Sequence, residues 1–148
     1  MSLSLYVHVP FCETKCAYCD FASWAGRSGE EAAWLDRIER ELGLRGKDAA
    51  GPLFSVFFGG GTPSALSEQG LERLCRAVRD NFRFQPGMEW SMEANPVSLT
   101  PSKLAIARVK QQMGDGYFAD SEADIPNWVA DPSRWDFSSD GLIIQFQP

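Results

Sequence analysis

Apolar runs with strand character alternate with helix patterns through the first 112 residues of this chain, and this order limits the possible folds. Residues 52–58, PLFSVFF, are apolar and aromatic and end abruptly at GGGTPS, as strands buried in parallel sheets do. Residues 4–9 and 88–94 also have strand patterns. Helix patterns occupy residues 29–42, a stretch starting near Ser67, and residues 100–112. The order βαβαβα predicts an α/β fold of parallel strands with helices outside.

The second and third helices have clear start signals or faces. Thr100 and Pro101 suit the N-cap and the first helical position of the third helix. The second helix has an apolar stripe at helical spacing, formed by Leu71, Leu74, Cys75, Val78 and Phe82. We therefore expect Cys75 to be a small apolar residue of the core.

Three cysteines follow the first strand with C-x3-C-x2-C spacing, at Cys12, Cys16 and Cys19. Clustered thiolates favour zinc or an iron–sulfur cluster, and structural zinc prefers four closed ligands. A [4Fe–4S] cluster held by three cysteines leaves one iron open to another ligand. We favour the iron–sulfur cluster over zinc or free thiols for these three cysteines.

His8 is the only histidine of the chain. We expect it to be a hydrogen-bonded core group rather than a metal or haem ligand.

Composition restricts the partners and the location. The net charge of the 148 residues is −6, with no basic cluster, which disfavours nucleic acid. No apolar run is long enough to span a membrane, and the N-terminus lacks the features of a signal peptide. These features predict a cytoplasmic protein.

The motifs LYVHVPFC, CAYCDF, FFGGGTPS and MEANP, in this order, resemble those of the radical S-adenosylmethionine (radical SAM) superfamily. Over residues 3–104 they most resemble oxygen-independent coproporphyrinogen oxidase-like proteins that act as haem chaperones. Asp20 and Phe21 follow Cys19, where the oxidases usually carry a further cysteine, so the haem-chaperone branch is the better match. The resemblance implies the first three βα units of a partial (β/α) barrel.

The resemblance also implies roles for matching residues. Cys12, Cys16 and Cys19 would ligate a [4Fe–4S] cluster, and S-adenosyl-L-methionine would bind the open iron and be cleaved after an electron donor reduces the cluster. Haem or a porphyrin would be a possible further ligand. The residues expected to contact S-adenosylmethionine are Tyr6, Tyr18, Gly60, Gly61, Thr62 and Glu93. Purely structural roles are the alternatives to cofactor contact: packing for Tyr6, a tight strand-to-helix turn for GGGTPS and a simple turn for residues 93–96.

Residues 105–148 have a different character. They carry a net charge of −4, and the stretch 113–135, after the third helix, is acidic and rich in Asp and Pro. A β-hairpin is predicted within residues 135–146. They weakly resemble part of a domain of exported bacterial proteins, including lysozyme-sensing anti-sigma factors. We therefore expect two segments, 1–104 and 105–148, with a chimeric join at residues 104–112. We expect Trp128 and Trp135 to pack in the small β element rather than to form a binding patch.

Three functional hypotheses remain open. The first is a radical SAM protein of the haem-chaperone type whose barrel is truncated and whose catalysis is impaired, so that enzyme activity is uncertain. The second is a carrier of a cluster or haem without catalysis, and the third is an inert chimeric fragment. A zinc-stabilised interaction domain is a more distant alternative.

Overall fold

A four-stranded sheet supports the fold. The structure is a computed structural model, and it describes residues 3–95, 97–112 and 142–146. Its elements in chain order are β1 (Leu3–Val9), β2 (Phe11–Cys12), β3 (Trp24–Ala25), α1 (Glu31–Lys47), β4 (Leu53–Gly60), α2 (Glu68–Asn81), β5 (Phe84–Ala94), α3 (Pro101–Gln112) and β6 (Leu142–Phe146). The sheet order is β1-β4-β5-β6, and β2 and β3 form a separate short pair.

The predicted α/β class and the three parallel βα units are confirmed. β1 pairs with β4 and β4 pairs with β5, both in parallel. The six predicted elements lie close to their expected positions; β5 begins at Phe84, a few residues before its predicted start. β6 pairs with β5 in the antiparallel direction, with Ala94 opposite Leu142. Only this strand of the predicted hairpin is described; the rest of the hairpin, Trp128 and Trp135 lie outside the described residues.

The core lies on one face of the sheet, against the helices. Side chains alternate along a strand, and Val7, Val9, Val56 and Phe58 are buried there. The stripe predicted for α2 faces the same core, which confirms the core position of Cys75. On the opposite face, Tyr6 is 55% exposed. The sheet therefore buries one face in the core and has a second face with an accessible aromatic side chain.

The helix starts follow the sequence signals. The Ser67 hydroxyl accepts the Gly70 amide at 3.0 Å, and the Thr100 hydroxyl accepts the Lys103 amide at 3.2 Å. Glu31 also accepts the Ser67 amide at 3.0 Å, which ties the start of α1 to the start of α2. Within the described ranges, no helix is long and apolar enough to cross a membrane.

Replacement of Ser67 by alanine should lower the free energy of unfolding by about 1 kcal/mol, because the Gly70 amide loses its capping acceptor. Chemical denaturation followed by circular dichroism measures this change. Ser28→Ala is the matched control, because Ser28 is exposed, and it should change stability by less than about 0.5 kcal/mol. Equal stability of Ser67→Ala and the wild type would contradict the capping role.

Candidate functional site

The three motifs meet at one edge of the sheet. The cysteine loop (residues 10–25) follows β1, the glycine turn (residues 60–64) begins at the end of β4, and Glu93 is the penultimate residue of β5. Because these strands are adjacent and parallel, their carboxyl ends lie at the same edge. Barrels of this type place their chemistry at that edge.

The cysteine loop is closed by its own hydrogen bonds. The Trp24 amide donates to the Pro10 carbonyl at 2.8 Å, and β2 pairs with β3. The Lys15 ammonium donates to the Phe21 carbonyl at 2.6 Å and to the Ser23 hydroxyl at 3.1 Å. Lys15, which lies between Cys12 and Cys16, therefore holds the far side of the loop. The motif identified the thiols but gave no sign of this contact.

His8 attaches the cysteine loop to the sheet. Its Nε2 lies 2.7 Å from the Ala22 carbonyl oxygen. Because a carbonyl only accepts, Nε2 is the donor, and Nδ1 of a neutral ring can then accept from the Tyr6 hydroxyl at 3.3 Å. His8 is thus hydrogen-bonded through both ring nitrogens, as expected. The predicted core position is wrong, because His8 is half-buried and lies beside Tyr6 on the face of the sheet opposite the core. The sequence did not reveal that its partner is the loop.

The thiols are available as ligands but are not gathered into a finished metal site. None of the three forms a disulfide; Cys16 is exposed, and Cys12 and Cys19 are half-buried. In the part of the chain that the structure describes, no three Cys, His, Asp or Glu side chains are grouped closely enough to hold a metal ion. Three free thiols on one short loop nevertheless are soft donors of the kind that bind iron–sulfur clusters, and they would leave one iron of a [4Fe–4S] cluster open.

Backbone hydrogen bonds join the glycine turn to the end of β1 and to the cysteine loop. The Gly61 amide donates to the Val9 carbonyl, and the Thr62 amide donates to the Phe11 carbonyl, both at 2.7 Å. The Thr62 hydroxyl also donates to Cys12 Sγ at 3.6 Å. The first thiol of the motif therefore lies directly beside the glycine turn.

Glycine is required in this turn for two separate reasons. Gly60 has a φ angle of +107°, which residues with a side chain rarely adopt. A Cβ at Gly60 would also lie 2.5 Å from the His8 ring. A Cβ on Gly61 would lie 2.6 Å from the Phe11 carbonyl oxygen and 3.1 Å from Cys12 Sγ. Gly61 can approach the cysteine loop this closely only because it has no side chain.

Glu93 connects β5 to the glycine turn. Its carboxylate accepts the Gly60 amide at 3.2 Å. Burial raises the pKa of Glu93, although the Gly60 amide and the nearby His8 oppose that shift. Burial, followed by the charge of Glu93, also raises the pKa of Tyr6. A partly desolvated carboxylate at the end of a barrel strand is a reasonable candidate for contact with a ligand.

The structure thus links most of the predicted site residues. Hydrogen bonds connect Cys12 with Thr62 and Gly60 with Glu93, and a Cβ on Gly61 would lie 3.1 Å from Cys12 Sγ. Tyr6 joins this group through its contact with His8 and stacks on Phe57 with a centroid separation of 5.9 Å. Tyr18 shares the loop with the thiols and is 72% exposed. The roles of these residues in binding stay predictions.

The fold and the site together define a partial α/β barrel domain with a thiol-bearing loop at the carboxyl edge of its strands. The family model described as the Radical SAM superfamily matches residues 6–112, well over half of the chain. This chain therefore belongs to the radical SAM superfamily.

Several of its relatives are named for haem or porphyrin chemistry. It is 42% identical over 110 residues to "Heme chaperone HemW" of Mycobacterium tuberculosis (strain ATCC 25618 / H37Rv), a match that covers 70% of this chain and 28% of the relative. It is 38% identical over 96 residues to "Oxygen-independent coproporphyrinogen III oxidase" of Escherichia coli (strain K12), covering 64% of this chain and 21% of the relative. The chain thus spans about a quarter of the length of these relatives.

A solved structure agrees with these relatives. The structure of the radical SAM enzyme coproporphyrinogen III oxidase (HemN) from Escherichia coli matches with a TM-score of 0.68 and 32% identity, over 74% of this chain and 26% of that one. The expected resemblance to this family is confirmed. The likeness of residues 105–148 to a domain of anti-sigma factors is not borne out, and the family match runs through residue 112 into that segment. The division at residue 104 and the chimeric join stay predictions.

Replacement of Gly61 by alanine should lower the free energy of unfolding by about 1–3 kcal/mol, because the added Cβ overlaps backbone atoms that cannot move independently. Denaturant titration measures the loss. Gly29→Ala is the matched control: a Cβ at Gly29 has no neighbour within 4 Å, so that variant should change stability by less than about 0.5 kcal/mol. If the two variants were equally stable, the close approach at Gly61 would be refuted.

Replacement of Glu93 by glutamine should stabilise the chain at neutral pH. Burial raises the pKa of Glu93 above the ordinary 4.5, so between these two pKa values the folded chain binds more protons than the unfolded chain. The free energy of unfolding of the wild type therefore falls as pH rises through that window. Glutamine cannot ionise, yet it keeps an oxygen that can accept the Gly60 amide. Unfolding titrations from about pH 4 to about pH 7 should show Glu93→Gln gaining stability relative to the wild type.

The control for this experiment is Glu89→Gln on the same strand, where the side chain is exposed. This variant should follow the wild type across the pH range. A constant stability difference between Glu93→Gln and the wild type at every pH would show that burial of the Glu93 charge does not oppose folding.

Proposed function

We propose that this chain binds a [4Fe–4S] cluster and S-adenosylmethionine at the carboxyl edge of its parallel strands. Cys12, Cys16 and Cys19 would ligate the cluster. The proposed contacts to S-adenosylmethionine come from Tyr6, Tyr18, Gly60, Gly61, Thr62 and Glu93. The observation that carries this proposal is the continuous set of contacts from Cys12 through the glycine turn to Glu93.

The chain's own residues have distinct tasks in this proposal. The glycine turn lets the backbone approach a ligand closely, while the Glu93 carboxylate can accept from a cationic ammonium group. His8 and Lys15 hold the cysteine loop against the sheet and across itself, so that the thiols start near their working positions. When bound, the reduced cluster supplies the electron that cleaves the sulfonium of S-adenosylmethionine.

The names of the relatives indicate the wider role. Proteins named as haem chaperones and as coproporphyrinogen oxidases both handle a tetrapyrrole, so we propose haem or a porphyrin as the further ligand. An electron donor is also required for the proposed cleavage. A cytoplasmic location and the absence of a nucleic-acid partner remain expectations from composition.

A second candidate is a carrier that holds a cluster or haem without cleaving S-adenosylmethionine, and the haem-chaperone relatives favour it. His8 is a poor haem ligand in this arrangement, because both of its ring nitrogens already have partners. Release of 5′-deoxyadenosine under a strong reductant would distinguish the radical SAM protein from the carrier.

Anaerobic reconstitution with iron and sulfide should load about four irons and four sulfides per wild-type chain. Cys16→Ala should lose most of this load, because it removes one of the three proposed ligands. The matched control is Cys75→Ala, which changes a buried cysteine in the core and should keep the full load. Chemical analysis and visible absorption measure both contents. A folded wild-type chain that takes up no cluster, or takes up zinc without sulfide, would contradict the proposed site.

A further inference from the structure

A closed ring of hydrogen bonds joins the turn after β4 to the turn after β5. The Asn95 amide donates to Ser64 Oγ at 2.8 Å, Ser64 Oγ lies 2.7 Å from Ser98 Oγ, and Ser98 Oγ donates to the Asn95 carbonyl at 3.1 Å. This arrangement uses each hydroxyl proton once if Ser64 donates to Ser98. Ser64 is 0% exposed and Ser98 is 4% exposed, so little water competes for these bonds.

Lys103 bridges the same two turns from outside the ring. Its ammonium donates to the carbonyl of Ser64 and to the carbonyl of Ser98, both at 2.8 Å. The position of Lys103 is itself fixed, because its amide caps α3 by donating to Thr100. The start of α3 therefore fastens the end of β4 to the end of β5.

Keeping an ammonium group at this place has a cost. Burial lowers the pKa of Lys103, and the charges of Glu13, Glu68 and Glu31 oppose that shift. Glu13 belongs to the cysteine loop, between Cys12 and Cys16. The Lys103 charge that bridges the turn after β4 and the turn after β5 is therefore also attracted to the cysteine loop.

We propose that Lys103 is a positioning residue for the cofactor site. It acts through Ser64 and Ser98, which lie two residues beyond Thr62 and five beyond Glu93 along the chain. By holding these two turns together, the ammonium fixes the glycine turn relative to the Glu93 carboxylate. This inference rests on the proposed function of those two motifs, whereas the mechanical link between the turns can be measured without any cofactor.

Lys103→Met tests the link, because methionine keeps an apolar stem and removes the ammonium. In the cofactor-free chain, amide hydrogen exchange in peptides covering residues 59–66 and 93–99 should become about tenfold faster or more, as expected for loss of charge-assisted bonds. The matched control is Arg73→Gln, which breaks ion pairs from α2 to Asp36 and Glu39 on α1. It should loosen the helices and leave those two peptides unchanged.

The second measurement is the affinity for S-adenosylmethionine, by equilibrium binding to cluster-loaded chains. Lys103→Met should raise the Kd about tenfold or more. Arg73→Gln should leave the Kd near the wild-type value, even if its melting temperature falls as much as that of Lys103→Met. If Lys103→Met does not fold, Lys103→Gln keeps one donor group and should show smaller changes in the same peptides and in the Kd.

The outcomes separate the two proposals. Unchanged exchange in both peptides overturns the role of Lys103, and so does faster exchange with an unchanged Kd, since the link would then be structural only. A wild-type chain that binds neither cluster nor S-adenosylmethionine overturns the proposed function and the cofactor-positioning role with it. In that case, the exchange measurement still decides whether Lys103 holds the two turns.

Discussion

The backbone bonds that continue beyond the ends of β1 and β4 hold the candidate site together. Parallel strands usually separate where their connections begin, but here the Gly61 and Thr62 amides still donate to Val9 and Phe11. These bonds exist only because Gly61 has no Cβ. They place the first thiol beside the glycine turn, so the site follows from the same parallel pairing that builds the sheet.

The site also contains charges that the fold does not favour. The Glu93 carboxyl has a raised pKa and the Lys103 ammonium has a lowered pKa, both chiefly because of burial. In each case the charged form is the one that folding disfavours. Removing either charge would remove this cost, but a charged group makes stronger hydrogen bonds to neighbouring amides, carbonyls and ligand groups than a neutral one. Such a conflict between stability and local charge is characteristic of functional sites.

Periodicity and motif order were sufficient to predict the three βα units and the edge at which the motifs meet, because both depend on local patterns. The contacts within that edge were not predictable. Nothing in the sequence pairs His8 with the Ala22 carbonyl or Lys15 with the Phe21 carbonyl, since these bonds depend on how the loop folds back. The antiparallel pairing of β6 was missed for a related reason. The alternating pattern of a strand predicts which side chains share a face, but it does not predict which strand lies beside it.

That pairing changes what lies beside the site. In a continuing βα series the next strand would run parallel to β5, and its carboxyl end would reach the edge where the motifs meet. β6 runs the other way, so its first residues lie there instead, with Leu142 opposite Ala94 and Ile143 opposite Glu93. The backbone groups of the β5 edge are paired by either kind of strand. What differs is the end of the neighbouring strand that lies beside Glu93. In this protein it is the start of β6, whereas a parallel strand would have its last residues there.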